Sequence, residues 1–388
     1  MHLCAPVAIS TGGSMNKKIL VAAAILAVIG GCAAYLFTRG KYGKNGKITI
    51  NMKSQATSVP GQGVGSAYLE QVALVKENLA DKFEVTENAH IAADITHYHT
   101  INLGYFLGKP FATRKGRSVG YVHMLPETVE TSLKLPKLAK KIFYWYMIRF
   151  YDSMEYLVTV NPYFIGRLEH YGVNPRKVTY IPNYVSSEKF HPVSYEEKMK
   201  LRDKYGIPRD KFVAVCAGQL QVRKGFFDFL EIAEKRPDMV FAWAGDFSFG
   251  AITDGYKEIS KVKENPPENL KLLGMIPRDD MNEIYNLGDV MFLPSFEELF
   301  PMTILEAMCA HIPILLRDLE IYNDILFDFY YRETSVDGFI NELVKLRDDP
   351  DYYAAGVEAS ARGNKFYSKE HVVKMWDDFY SMVADSLK

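Results

Sequence analysis

The chain has 388 residues, a formal net charge of −1, and 48% apolar and 24% charged residues. That length fits two or three domains and that composition a packed fold, while the missing basic excess excludes nucleic acid as the main partner. The four cysteines, Cys4, Cys32, Cys216 and Cys309, have no metal-ligand spacing, and so sparse a usage fits a reducing compartment.

In chain order, residues 1–18 read as an N-terminal extension, with Met15 as an alternative start. Ile19 to Phe37 is an uncharged apolar run, close to the length of about 20 residues that a helix needs to cross a bilayer. Lys17 and Lys18 precede it, whereas Arg39, Lys41, Lys44 and Lys47 follow it, and the more basic flank belongs in the cytoplasm. The expectation is a cell-membrane protein with a single-pass anchor over 19–37 and its body on the cytoplasmic side. A cleaved signal segment, with Cys32 in a loose lipoprotein-like box, is the alternative.

KITINM predicts a first strand. GQGVGS, Gly61 to Ser66, then leads into AYLEQVALVKENL, whose apolar residues recur at helical spacing. KFEVTEN and DITHYHT return to strand, and this order predicts a parallel α/β sheet. His97 and His99 alternate onto one strand face, which suits packed histidines better than a metal site with no third ligand. SVGYVHML is a strand that ends on His123, close to Glu127. The segment SLKLPKLAKKIFYWYMIRFYDSM predicts a long helix. It interleaves Lys134, Lys137, Lys140, Lys141 and Arg149 with Leu138, Ile142, Phe143 and Trp145. Such a helix suits an anionic bilayer surface, or a core with a basic solvent face.

YLVTVN and VTYIPNYV lead to the polar connection SSEKFHPVSYEEK, and a second strand–helix series begins at FVAVCAG. The fold class expected is α/β, with two doubly wound parallel-sheet domains, 47–200 and 206–360, facing a cleft. Residues 361–388 would form a C-terminal helix returning to the first domain.

Three motifs carry chemistry. GQGVGS offers unobstructed backbone amides to phosphate. Its spacing is not the G-x-G-x-x-G of dinucleotide-binding oxidoreductases, although Glu87 stands where a ribose-binding acid would. GQLQVRKG, Gly218 to Gly225, sets Arg223 and Lys224 at a strand-to-helix corner, where a polyanion or plain solvent could meet them. In SFEELFPMTILEAM, Glu298 lies in a loop and Glu306 about one turn into a helix whose first amides lie around Met302, Thr303 and Ile304. These residues can hold a diphosphate on backbone amides with a sugar-binding carboxylate on each side. A capping contact between Glu306 and Thr303 explains only one of the glutamates.

E-x7-E after a P-S strand end, R-K-G upstream and a glycine loop at the start together resemble the retaining glycosyltransferases of family 4, which have the GT-B fold. The resemblance covers about residues 47–388. GQGVGSAYLEQV, DITHYHTINLGYF, GYVHMLPETVETSLKLP, VNPYFIGRL, YIPNYVSSEKF and GQLQVRKG are most similar to bacterial enzymes that add a second hexose to monoglucosyl-diacylglycerol. The resemblance implies a UDP-hexose donor (UDP-glucose or UDP-galactose), a glycolipid acceptor, an anionic membrane surface as partner, and retention giving an α-linkage. Diacylglycerol itself, or another lipid or glycan, is the alternative acceptor. A non-catalytic nucleotide-sugar-binding membrane protein is the alternative class.

Residue by residue, the resemblance implies that Glu306 binds the ribose hydroxyls and Glu298 the transferred hexose. Lys224, with Arg223, would neutralise the diphosphate. Gly61, Gly63, Gly65 and Gly218, with Phe300, Pro301, Met302 and Thr303, would surround the donor. His123 matches a histidine beside the donor sugar, and Lys134, Lys137, Lys140, Lys141, Phe143 and Trp145 would face membrane and acceptor. Many relatives carry Gly-Arg where this chain has Gly218-Gln219, so one cation is missing there. No cofactor beyond the co-substrate and no metal, magnesium included, is implied, and the D-x-D at Asp349–Asp351 lies in a polar turn. With no carboxylate standing out as a nucleophile, same-face attack assisted by the leaving phosphate is expected over double displacement.

Overall fold

The computed structural model describes residues 46–56, 63–127, 136–247, 250 and 253–388. The apolar run 19–37, Gly61 and Lys134 lie outside the described residues. Among those described, no helix is long and apolar enough to cross a membrane.

Two six-stranded sheets organise the chain. The first contains β1 (Ile48–Lys53), β2 (Phe83–Glu87), β3 (Ile95–Tyr98), β4 (Arg117–Val122), β5 (Tyr156–Thr159) and β6 (Val178–Tyr180), in the order β2-β1-β3-β4-β5-β6. The second contains β7 (Val213–Ala217), β8 (Val240–Ala244), β9 (Leu270–Gly274), β10 (Val290–Leu293), β11 (Ile314–Arg317) and β12 (Tyr331–Glu333), in the order β12-β11-β10-β7-β8-β9. Neighbouring strands in both are parallel. VAVCA in β7 and VFAWA in β8 are buried at every position, as strands covered on both faces must be. Strand order reverses at β1/β3 and at β7/β10, and at such switch points the carboxyl ends of the strands open a crevice.

The helices around the first sheet are α1 (Gly63–Asn78), α2 (Leu103–Ala112), α3 (Lys137–Asp152) and α4 (Tyr163–His170). Those of the second part are α5 (Tyr195–Lys204), α6 (Phe226–Lys235), α7 (Tyr256–Glu264), α8 (Met281–Leu287), α9 (Met302–Cys309), α10 (Val336–Asp348), α11 (Pro350–Phe366) and α12 (Lys369–Asp385). The last of these returns to the first sheet. The Tyr380 hydroxyl meets His97 Nδ1 at 2.8 Å, and Lys82 Nζ donates to Asp377 Oδ2 at 2.7 Å.

The glycine motif is not wholly a loop. Gly63 and Gly65 lie in the helix Gly63–Asn78, at the start of its described residues. Helix α2 is hidden in the sequence by Gly104, Gly108 and Pro110, whose low helix propensity is overridden by packing. Only Ile259 of α7 is fully buried.

Candidate active site

The switch point between β7 and β10 gathers the charged residues. Val222–Lys224 form a single 3-10 turn after β7, rather than the opening of a helix. Gly225 follows with φ +73°, and a Cβ there would stand 2.2 Å from the carbonyl oxygen of Pro294. Only glycine fits so close an approach, and it locks the R-K-G corner against the end of β10. Phe296 N–H donates to the Arg223 carbonyl at 2.8 Å, and the Arg317 guanidinium, 4.0 Å above the Phe296 ring, donates to the Pro294 carbonyl at 3.1 Å. Within this clamp Lys224 Nζ donates to Glu298 Oε1, and both residues are buried. Burial holds the lysine below its ordinary pKa, with Arg223 adding to the effect and Glu298 opposing it.

Several buried polar atoms here have no hydrogen-bond partner among the described residues. They are Gln221 Oε1, Arg223 Nε, Ser295 Oγ, Thr303 Oγ1 and Tyr322 OH. Buried polar atoms are nearly always satisfied, so these five around one crevice make it the candidate ligand site. Arg223 directs Nη1 to the Glu297 carbonyl at 3.2 Å. Gln219 accepts from Gln221 Nε2 at 2.7 Å, so no cation occupies the position after Gly218.

Helix α9 starts after Pro301 with no side-chain cap. Glu306 therefore does not cap Thr303. Its Oε1 accepts from Arg278 Nη1 at 2.7 Å and its Oε2 from the Tyr285 hydroxyl at 2.6 Å. The amide of Ile304 is bonded to the Pro301 carbonyl, which leaves the turn at Met302 and Thr303 as the amide-bearing end of the helix. The Phe300 side chain is turned into the protein, 5.1 Å from the Tyr367 ring, so its backbone and not its ring borders the loop.

The first domain touches this loop directly. Asn161, after β5, donates from Nδ2 to the carbonyls of Leu299 at 3.1 Å and Ile321 at 2.8 Å. Asn183 donates to the Phe300 carbonyl at 2.9 Å. Asn161 stands in VNPYFIGRL, and no local pattern there announces that its side chain crosses to the other domain. Arg278, Tyr285 and Tyr322 are likewise absent from the sequence-derived set, being single residues outside its motifs, and Gln221 and Ser295 lie within GQLQVRKG and SFEELFPMTILEAM without a role assigned to them there.

His123 follows β4 and stacks on Tyr121 at 4.1 Å, with its Nε2 unpartnered among the described residues. Burial lowers its pKa from 6.5 to about 3, so the ring is neutral at ordinary pH. Glu127 does not serve it, because that carboxylate accepts from Arg167 Nε at 2.9 Å. His97 and His99 belong to the same buried ring column, with His123 6.1 Å from His99. Even so, no His, Cys, Asp or Glu group among the described residues is arranged to hold a metal.

On the outer face, α3 exposes Leu138, Ile142 and Trp145 in one stripe beside exposed Lys137 and Lys141 and half-buried Lys140. Phe143 instead packs inward against the core. Helix α2 exposes a second stripe, Leu103, Leu107 and Phe111. The two helices are neighbours, with Phe106 5.8 Å from Tyr146 and the Tyr146 hydroxyl donating to the Ile101 carbonyl at 2.6 Å. A groove of about 690 Å³ beside α3 is lined by Glu127, Tyr144, Trp145, Ile148, Arg149 and Tyr171, among others.

Comparison with known proteins adds an independent line. Residues 197–359 match the model of the glycosyl transferases group 1, and residues 77–189 that of Glycosyltransferase Family 4. The chain is 44% identical over 338 residues to an alpha-galactosylglucosyldiacylglycerol synthase of Streptococcus pneumoniae, spanning 87% of this chain and 90% of that protein. It is 24% identical over 269 residues to a processive diacylglycerol alpha-glucosyltransferase of Acholeplasma laidlawii, spanning 68% and 77%. Among solved structures, Anabaena HepE in complex with UDP-glucose superposes with a TM-score of 0.71 at 14% identity, over 86% of this chain and 100% of that one. Sucrose-phosphate synthase from Thermosynechococcus elongatus does so at 0.72 and 14%, over 88% and 100%. These two likenesses speak to the fold alone.

Proposed function

The chain belongs to glycosyltransferase family 4 and is a sugar-transferring enzyme, and from that premise we propose that it moves galactose from UDP-galactose to monoglucosyl-diacylglycerol at a membrane surface, with retention. The observation that carries the reading is the β7/β10 crevice, where Lys224 in its 3-10 turn, Glu298 in the loop, and the N-terminus and Glu306 of α9 lie among unpartnered buried polar atoms. The likeness to the pneumococcal synthase supports a glucosyl-lipid acceptor and a galactosyl donor.

Charge development explains the parts. As the bond between the anomeric carbon and the β-phosphate oxygen breaks, negative charge grows on the diphosphate and oxocarbenium character on the sugar. Lys224, Arg223 and the amides at the start of α9 are preorganised for the first. Glu298 holds the lysine and offers Oε2 to a hexose hydroxyl, and Glu306 takes the ribose. The acceptor hydroxyl attacks the anomeric carbon from the leaving-group face and passes its proton to the departing phosphate oxygen. This route needs no carboxylate nucleophile, no metal and no cofactor. His123, neutral and with Nε2 open, donates to or accepts from a sugar hydroxyl rather than acting as an acid.

The apolar stripes on α2 and α3, flanked by Lys137, Lys140 and Lys141, suit the headgroup region of an anionic bilayer, and the adjoining groove suits the acceptor's lipid part. With the run 19–37 as an anchor, the body would lie on the cytoplasmic face.

Calorimetric titration with UDP, UDP-galactose and NAD tests the donor assignment. UDP and UDP-galactose should bind, Glu306→Ala should weaken both, and NAD should give no heat. Binding of NAD in place of UDP would overturn the reading.

A further inference from the structure

Arg278 stands between two carboxylates that come from different domains. Its Nη1 donates to Glu306 Oε1 at 2.7 Å and its Nη2 to Glu70 Oε1 at 2.9 Å. Glu306 is 2% exposed, on α9 of the second domain, and Glu70 is 3% exposed, on α1 of the first. The guanidinium also lies over the Phe190 ring, 5.3 Å from its centre. Lys189 reaches Glu70 at 3.4 Å, but its side chain is 56% exposed and solvent screens most of its effect.

Two buried carboxylates facing one another across a domain boundary repel unless a cation lies between them. A guanidinium suits the position because its planar fork can serve two acceptors at once, which a lysine ammonium does less well. The contact with Arg278 and that with Tyr285 fix the plane of Glu306, and each carboxylate oxygen keeps a lone-pair direction for a ribose hydroxyl. Moving the two domains apart would take Glu70 away from Arg278.

We propose that Arg278 is a positioning residue that orients Glu306 for the donor's ribose and ties it to Glu70 on the facing domain, so that nucleotide binding and domain closure are coupled. The proposal rests on the assignment of Glu306 to the ribose.

The test is the UDP dissociation constant by calorimetry, with donor KM, acceptor KM and kcat, for wild type, Glu70→Gln, Arg278→Gln and the double variant. Arg278→Gln should weaken UDP binding and raise donor KM by about tenfold or more, the effect of losing a charged hydrogen bond. Glu70→Gln should do so by roughly threefold to tenfold. Acceptor KM should not move, and kcat at saturating donor should change by less than about threefold. The double variant should bind UDP no more weakly than Arg278→Gln alone, because removing the charge of Glu70 relieves the repulsion that Arg278 no longer screens. A merely structural role would not give that rescue. Multiplying effects in the double variant, or unchanged UDP binding in Glu70→Gln, would overturn the coupling. Should Arg278→Gln fail to fold, Arg278→Lys serves. It keeps the charge on one carboxylate, so adding Glu70→Gln to it should have no further effect, and a further tenfold loss would contradict the proposal. Unchanged UDP affinity in Glu306→Ala would overturn the ribose assignment and the coupling with it.

Discussion

Lys224 and Glu298 hold each other by a charged hydrogen bond in the floor of the crevice, 9% and 8% exposed respectively. A buried ion pair of this kind adds little net stability, and breaking it leaves an uncompensated buried charge. Its position beside the R-K-G corner gives it a different use. The carboxylate opposes the pull of burial on the lysine, and under the proposed function a diphosphate arriving at the same corner would find a cation already in place.

Lys224→Ala should lower kcat by about 100- to 1000-fold, the range for removing one preorganised charge-stabilising donor. Donor KM should change far less. Because burial sets its pKa below the ordinary 10.5, the wild-type rate should fall as pH rises through a point below that value. Lys224→Arg, which stays charged, should lose that alkaline limb while keeping some turnover. An identical pH–rate profile in Lys224→Arg would remove Lys224 from the chemistry.

Asn161 joins the domains at the loop that carries Glu298. Asn161→Ala leaves the carbonyls of Leu299 and Ile321 without its amide, and each such buried group costs about 1–3 kcal/mol. Thermal denaturation should show a lower midpoint, and kcat should fall with the loosened loop. A variant as stable and as active as wild type would mean that the contact has no mechanical role.

The buried histidines predict acid sensitivity. Folding depresses the pKa of His97 and His123 from 6.5 to about 3. Below about 6.5 the unfolded chain takes up these protons and the folded chain does not, so stability falls as pH drops, by about 1.4 kcal/mol per unit for each histidine. His99 is shifted in the same direction by burial, and neither of its ring nitrogens has a partner among the described residues. His99→Phe should therefore fold, and its stability measured by urea unfolding should decline less steeply below pH 6.5. An unchanged slope would mean that His99 is not buried as a neutral ring.

The paired helices predict a membrane contact in two parts. With residues 1–38 removed, so that the proposed anchor does not itself hold the chain on the bilayer, vesicle flotation with anionic lipid should weaken in Leu103→Ser/Leu107→Ser, on α2, as well as in Trp145→Ala, on α3. Each exposed apolar side chain buried in lipid contributes about 1.5–3 kcal/mol, roughly tenfold or more in partition. The α2 variant should keep its activity on detergent-dispersed acceptor. Undiminished flotation of both would show that these stripes do not touch the bilayer.

Much of the frame was legible because parallel sheets leave strong signals: short apolar runs alternating with amphipathic helices, with glycine-bearing and charged motifs at strand ends. VAVCA, VFAWA and VMFL stand out on that ground. What the sequence hides is contact at long separation. Asn161 meets Ile321, and Arg278 meets Glu70, through side chains that no periodicity links. The motif reading finds Glu306 but not that Tyr285 and Arg278 hold both its oxygens. It also pairs His123 with Glu127 by proximity along the chain, whereas folding gives that carboxylate to Arg167. The D-x-D at Asp349–Asp351 resolves locally, since Asp349 caps α11 through the amides of Asp351 and Tyr352.

The most direct measurement offers labelled UDP-galactose and UDP-glucose separately to the enzyme, with diacylglycerol or monoglucosyl-diacylglycerol in anionic lipid micelles, and identifies the labelled lipid. Label from UDP-galactose on the monoglucosyl lipid, in an α-linkage, is the predicted result. Label on diacylglycerol alone, or a β-linked product, would contradict it.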